Sequence, residues 1–126
     1  MSYANAAATY RQNAILTASP EKIVKLLYEG AIRHLERSRL YLTDQKTTHS
    51  PHAGEALGRA LSIIGELRSS LDHKVGGEIS QNLDRLYEFS EFQITQANLT
   101  RTPQPIEQTL QVMRTLKEAW DAVVPS

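Results

Sequence analysis

The chain has 126 residues, 14 Lys+Arg against 14 Asp+Glu, a formal net charge of zero and 40% hydrophobic residues. That length and apolar content suit one domain with one core. Neutrality argues against a general nucleic-acid binder or a charge-driven membrane-surface protein, and the lack of cysteine excludes disulfides, thiol catalysis and zinc-finger or iron–sulfur ligation.

Residues 1–18 come first and stand apart. They carry one charged side chain, Arg11, and few large apolar residues: Tyr3, Tyr10, Ile15 and Leu16. Tyr3, Ala7 and Tyr10 would share one face of a short helix, but such a segment is too weak to hold alone. It either packs on the rest or behaves as an ordinary frayed terminus. The longest charge-free run, residues 1–10, is far below the roughly 20 residues of a membrane span. It also lacks a basic lead, so no secretory signal is expected. A soluble protein of the cytosol is the expectation.

Three prolines follow a hydroxyl residue: Ser19-Pro20, Ser50-Pro51 and Thr102-Pro103. A Ser or Thr oxygen accepts a free amide hydrogen of a first helical turn, and proline there gives up nothing. Gly76-Gly77 marks a fourth junction, where glycine adopts positive φ cheaply and Glu78 puts negative charge at the next helix start. Helices are therefore predicted over 20–43, 51–74, 78–100 and 103–122, with no stretch alternating as a strand would. Their stripes run through Ile23, Leu27, Gly30, His34, Tyr41 and Leu42, widened by Val24, Tyr28, Ile32 and Leu35; then Leu57, Leu61, Ile64, Leu67 and Leu71; then Ile79, Leu83, Leu86, Phe89 and Ile94; then Ile106, Leu110, Met113, Leu116, Trp120 and Val123. Long helices with short links favour an all-α, antiparallel four-helix bundle. Gly54-x-x-x-Gly58 reads as tight packing within it rather than as a membrane dimer motif.

Enzyme motifs are missing. No Glu-x-x-His precedes any of His34, His49, His52 or His73, as a di-iron bundle would need. His49-x-x-His52-x-x-Glu55 has metal-type spacing but reads as a polar loop and helix start. No phosphate-cradling or nucleophile motif occurs. What remains is surface. Tyr87 lies off the main stripe of the third helix and Ile94 at its edge, so that helix is either central or offers a face to a partner.

Two blocks carry a resemblance. The first is Tyr10-x-x-Asn13 followed by Thr17-Ala18-Ser19-Pro20-Glu21-Lys22-Ile23-Val24-Lys25-Leu26-Leu27-Tyr28-Glu29-Gly30-Ala31. The second is Glu66-Leu67-x-x-Ser70-Leu71-Asp72, then Gly77-Glu78-Ile79, Asn82-Leu83, Leu86-Tyr87 and Ala97-Asn98-Leu99. Together they resemble the flagellar secretion chaperone FliS family over residues 10–122. The resemblance implies a non-enzymatic cytosolic chaperone without cofactor or metal. It would bind the disordered C-terminal segment of flagellin in apolar grooves and prevent polymerisation before type III export. It also implies a lid at 1–18 on a bundle domain at 19–126, and suggests the export gate and an anti-sigma factor as further partners, with no nucleic acid and no membrane insertion.

Carried over by position, Tyr10 becomes a candidate lid residue, with Ile15 and Leu16 beside it in the client-binding set. Tyr28, Leu71, Leu83, Leu86, Tyr87 and Asn98 become candidates to line or support the groove. Leu71, Leu83 and Leu86 fit core positions as well, Tyr28 fits internal packing, and Asn98 fits a helix-end hydrogen bond. The other open reading is a regulatory or structural bundle that homodimerises through the same apolar surface. Charge is uneven under the neutral sum: residues 20–43 hold five basic and three acidic side chains, while 78–100 hold Arg85 against Glu78, Asp84, Glu88 and Glu91. The expectation is that this contrast aligns the first and third helices or steers a client.

Overall fold

The computed structural model describes residues 20–123, which form four helices: α1 (Pro20–Thr43), α2 (Pro51–Ser69), α3 (His73–Thr100) and α4 (Gln104–Val123). The expected lid, with Tyr10, Ile15 and Leu16, lies outside the described residues. α1 and α3 each pack on α2 and α4, and their own backbones do not meet across the diagonal. The helices therefore form a closed ring of neighbours, the four-helix bundle expected from the proline pattern.

The helix ends show which signals act. At α2, the Ser50 side chain accepts from the Ala53 amide at 3.2 Å and Pro51 opens the first turn, as predicted. At α4 the expected cap fails. The Thr102 hydroxyl bonds that of Thr100 at 2.8 Å, and the Pro103 carbonyl accepts from the Ile106 and Glu107 amides instead. The helix accordingly begins at Gln104. The α2–α3 junction also differs from expectation, because α2 stops at Ser69 rather than near residue 74. Asp72 is the reason: its carboxylate accepts from the Lys74 amide at 3.0 Å and its carbonyl from the Gly76 amide at 2.8 Å, starting a new turn. That turn is broken at Gly77, where φ is +54° and ψ is −126°, a region essentially closed to other residues. Gly76 has a separate role, because a Cβ there would come within 2.6 Å of the Ser80 Cβ.

The core draws on all four helices: Leu27, Tyr28, Ala31 and Leu35 of α1; Leu57, Ile64 and Leu67 of α2; Tyr87, Ile94 and Ala97 of α3; Ile106, Leu110 and Met113 of α4. The predicted α3 face is rotated. Ile79, Leu86 and Phe89 are exposed, at 71%, 36% and 42%, while Ile94, also of that stripe, is buried as expected, together with Ser80, Tyr87, Ser90 and Ala97. Hydroxyl side chains cause the rotation, since they read as polar yet are satisfied inside: Ser90 Oγ donates to the Leu86 carbonyl at 2.8 Å. Gly54 does pack closely, since its Cβ would lie 3.3 Å from an Arg101 nitrogen; Gly58 faces open space, so only half of that motif serves packing.

Charge between helices also differs from expectation. The acidic edge of α3 serves α2 rather than α1. Arg68 of α2 meets Asp84 at 2.7 Å, Glu91 at 2.9 Å and Glu88 at 3.4 Å.

Arg101 ends α3 in the left-handed region, with φ +54°. For a residue with a Cβ that costs about 1 kcal/mol. Its bonds offset the strain: its guanidinium donates to the Ser50 carbonyl at 3.1 Å and the Thr48 carbonyl at 3.4 Å, and its own carbonyl accepts from the Thr48 hydroxyl at 2.8 Å. The α1–α2 loop is thereby tied to the α3–α4 turn. Arg101→Ala keeps the strain and loses the guanidinium bonds, so it should destabilise the bundle by about 1–2 kcal/mol in urea unfolding. An unchanged midpoint would show that the loop needs no such tie.

His34 is a buried polar residue of α1, and burial, reinforced by Arg37, Arg59 and Arg33, pulls its pKa from 6.5 down to about 4. The folded state thus favours the neutral ring, while the unfolded chain takes up a proton near its ordinary value. This contribution is complete above about pH 6.5 and is lost as the pH falls towards 4, a decline on the order of 3 kcal/mol. Stability measured across that window should fall in the native chain and fall less steeply in His34→Gln. Parallel curves would remove His34 as the cause.

Candidate functional site

An apolar groove of about 290 Å³ opens at one end of the bundle, where the first half of α1, the 70–72 turn, the start of α3 and the end of α4 meet. Val24 and Tyr28 come from α1, Leu71 from the turn, Ile79, Leu83 and Tyr87 from α3, and Trp120 from α4. The Asp72 cap and the Gly77 break stand at the edge of the groove, and Ile79 just beyond them is exposed.

The groove is backed by a polar contact inside apolar walls. The Tyr28 and Tyr87 hydroxyls hydrogen-bond each other across the bundle, with ring centroids 6.5 Å apart and tilted by 44°. Both side chains are only 2% exposed. Burial pushes both phenols above their ordinary pKa, so the pair is neutral at physiological pH. The far wall is fixed by Trp120, whose indole Nε1 donates to the Glu21 carbonyl at 3.0 Å. Asp121 beside it receives Lys117 at 2.6 Å and Lys25 at 3.3 Å, joining α4 to α1.

Of the residues singled out in the sequence, Tyr28, Leu71, Leu83 and Tyr87 are brought together here. Leu86 is not among them; it lies on the exposed stripe of α3 with Phe89 and Phe92. Asn98 belongs to the other end of the helix, eleven residues and about 16 Å beyond Tyr87. Its side chain lies near Gly54, and its carbonyl accepts from Arg101 Nε at 3.0 Å. Sequence reasoning missed Val24, Ile79 and Trp120 as wall residues, although each sat in a helical stripe. Among the described residues, no three of His, Asp or Glu converge to hold a metal ion, and no helix is long and apolar enough to cross a membrane. His49 is exposed in the loop, His52 stacks on Tyr41 with centroids 6.0 Å apart, and Glu55 pairs with Arg59.

Comparison with known proteins gives one answer. The family model described as flagellar protein FliS matches residues 3–126. The flagellar secretion chaperone FliS of Vibrio cholerae is 44% identical over 108 residues, covering 86% of this chain and 77% of the relative. That of Salmonella typhimurium is 36% identical over 115 residues, covering 90% and 83%. That of Bacillus subtilis is 24% identical and spans 100% of this chain.

The tyrosine pair sets a double-mutant cycle. Tyr87→Phe or Tyr28→Phe alone leaves a buried hydroxyl unsatisfied and should cost about 1–3 kcal/mol in chemical unfolding. The double variant should cost clearly less than the sum. Strict additivity would mean that the hydroxyls do not depend on each other.

Proposed function

The chain belongs to the FliS family of flagellar secretion chaperones, and on that premise we propose that it holds the disordered C-terminal segment of flagellin in the Tyr28–Leu83–Trp120 groove. The family is one of chaperones and not of enzymes. In this reading the client is held in the cytosol, unable to polymerise, until the flagellar type III apparatus exports it. The observation that carries the site is the groove itself. It is apolar, open and built by three helices and a turn around a rigid tyrosine pair.

Physical chemistry favours reversible capture there. Apolar surface removed from water stabilises by about 25 cal/mol per Å², while ordering a disordered client offsets much of that gain. Leu86, Phe89 and Phe92 add an exposed apolar stripe on the same helix that supplies Ile79 and Leu83. A client that leaves the groove along α3 meets this stripe next. The first helix starts beside the groove, since the Glu21 carbonyl accepts from Trp120 and Val24 is in the wall. In this reading residues 1–18, with Tyr10, Ile15 and Leu16, act as a lid on the bundle domain (19–126) that covers the empty groove and yields to client. Contacts with the export gate and an anti-sigma factor belong to the same proposal, without a surface of their own.

Calorimetry with a flagellin C-terminal peptide should show one-to-one binding with a negative heat-capacity change. Ile79→Asp, at an exposed wall position, should weaken binding at least about tenfold with unfolding midpoints held within experimental error. No binding at micromolar peptide would overturn the reading. A tight dimer whose mass peptide leaves unchanged would instead favour self-association through the apolar face.

A further inference from the structure

A second cavity, of about 180 Å³, lies between α1 and α2 and is lined by His34, Arg37, Tyr41, His52, Glu55 and Arg59. It lies further along α1 than the groove, and none of its residues takes part in the capture described above. We propose that this pocket binds a small oxyanion, a phosphate or a carboxylate, held by Arg37 and the unused edge of Arg59 with His52 at the rim.

The donors are in place. Arg59 directs Nε and Nη2 to a single oxygen of Glu55, at 3.2 and 2.7 Å. Among the described residues its Nη1 hydrogens meet no acceptor. Arg37 is exposed and has no carboxylate within salt-bridge distance among the described residues, whereas neighbouring Glu36 is taken by Arg114 of α4. The cavity wall thus holds two guanidinium groups and one carboxylate, and that carboxylate pairs with Arg59 alone. His52 is held by stacking on Tyr41 at an interplanar angle of 25°, which presents its ring at the cavity mouth. The local field has the same sign: Arg37, Arg59 and Arg33 all disfavour a proton on His34, and Glu55 alone opposes them. An oxyanion neutralises that excess and gains bidentate guanidinium contacts, the strongest hydrogen bonds available to it. The volume leaves room for a tetrahedral anion with some of its water.

Phosphate and carboxylate share this chemistry but come from different sources, one free in solution and the other on an acidic side chain of a docking protein. Titrations of the full chain with inorganic phosphate and with N-acetylglutamate, each against chloride at matched ionic strength, separate them. The readout is the amide spectrum of residues 34–41 and 52–59. Saturable shifts confined to these segments are expected with at least one probe at millimolar concentration, and the tighter probe identifies the source. Arg37→Gln, a surface change, should weaken binding at least about fivefold. Glu55→Gln should tighten it, because it releases Arg59. Absence of saturable shifts with both probes, unchanged affinity in Arg37→Gln, or weaker binding in Glu55→Gln would each overturn the site. Flagellin binding enters none of these measurements, so the two readings stand or fall separately.

Discussion

The hydroxyl contact between Tyr28 and Tyr87 joins two helices whose backbones do not meet. α1 and α3 lie across the bundle diagonal, each packed only on α2 and α4. Two long side chains reach across the interior and end on each other. Apolar residues of that length would fill the space without fixing an axial position. A pair of buried hydroxyls that must satisfy each other fixes it, because a slip of either helix leaves both without a partner. The register of α3 follows from this contact, and with it the placement of Ile79 and Leu83 on one wall and of Ser90 and Ile94 in the core.

The chain breaks beside the open groove, and Leu71, Asp72 and Gly76 of that break are part of its lining. Asp72 starts the helix afresh and Gly77 turns it, while Gly76 allows the turn to lie against Ser80. Three small-scale backbone effects thus meet at the edge of the groove. Its apolar lining comes at low thermodynamic cost, since Leu71, Leu83 and Trp120 already pack against the core with part of their surface.

Much of this was legible in the sequence. Proline after serine located the start of α2, and leucine periodicity located the core faces of α1, α2 and α4. α3 resisted for a definite reason. Its buried face includes Ser80, Ser90 and Tyr87, which periodicity counts as polar or ambiguous, whereas its exposed face carries Ile79, Phe89 and Phe92. Helical hydroxyls bonded to their own backbone are invisible to a hydrophobic pattern. The site was half legible. Tyr28, Leu71, Leu83 and Tyr87 converge, but Asn98 is too far along α3 to join them. Trp120 enters only because the antiparallel fold brings the end of α4 to the start of α1.

Zero net charge also acquires a structural meaning. Three carboxylates of α3 gather around the single guanidinium of Arg68, which leaves that edge negative. On the α1–α2 face the arginines exceed the carboxylates. The molecule is thus neutral as a whole and polarised locally. Long-range attraction of a charged partner is weak for such a body, because opposite patches cancel beyond about a Debye length, roughly 8–10 Å. Within that distance the patches act separately. Capture must then rest on apolar area, which has no direction, while the charged faces on either side set which way round a partner lies.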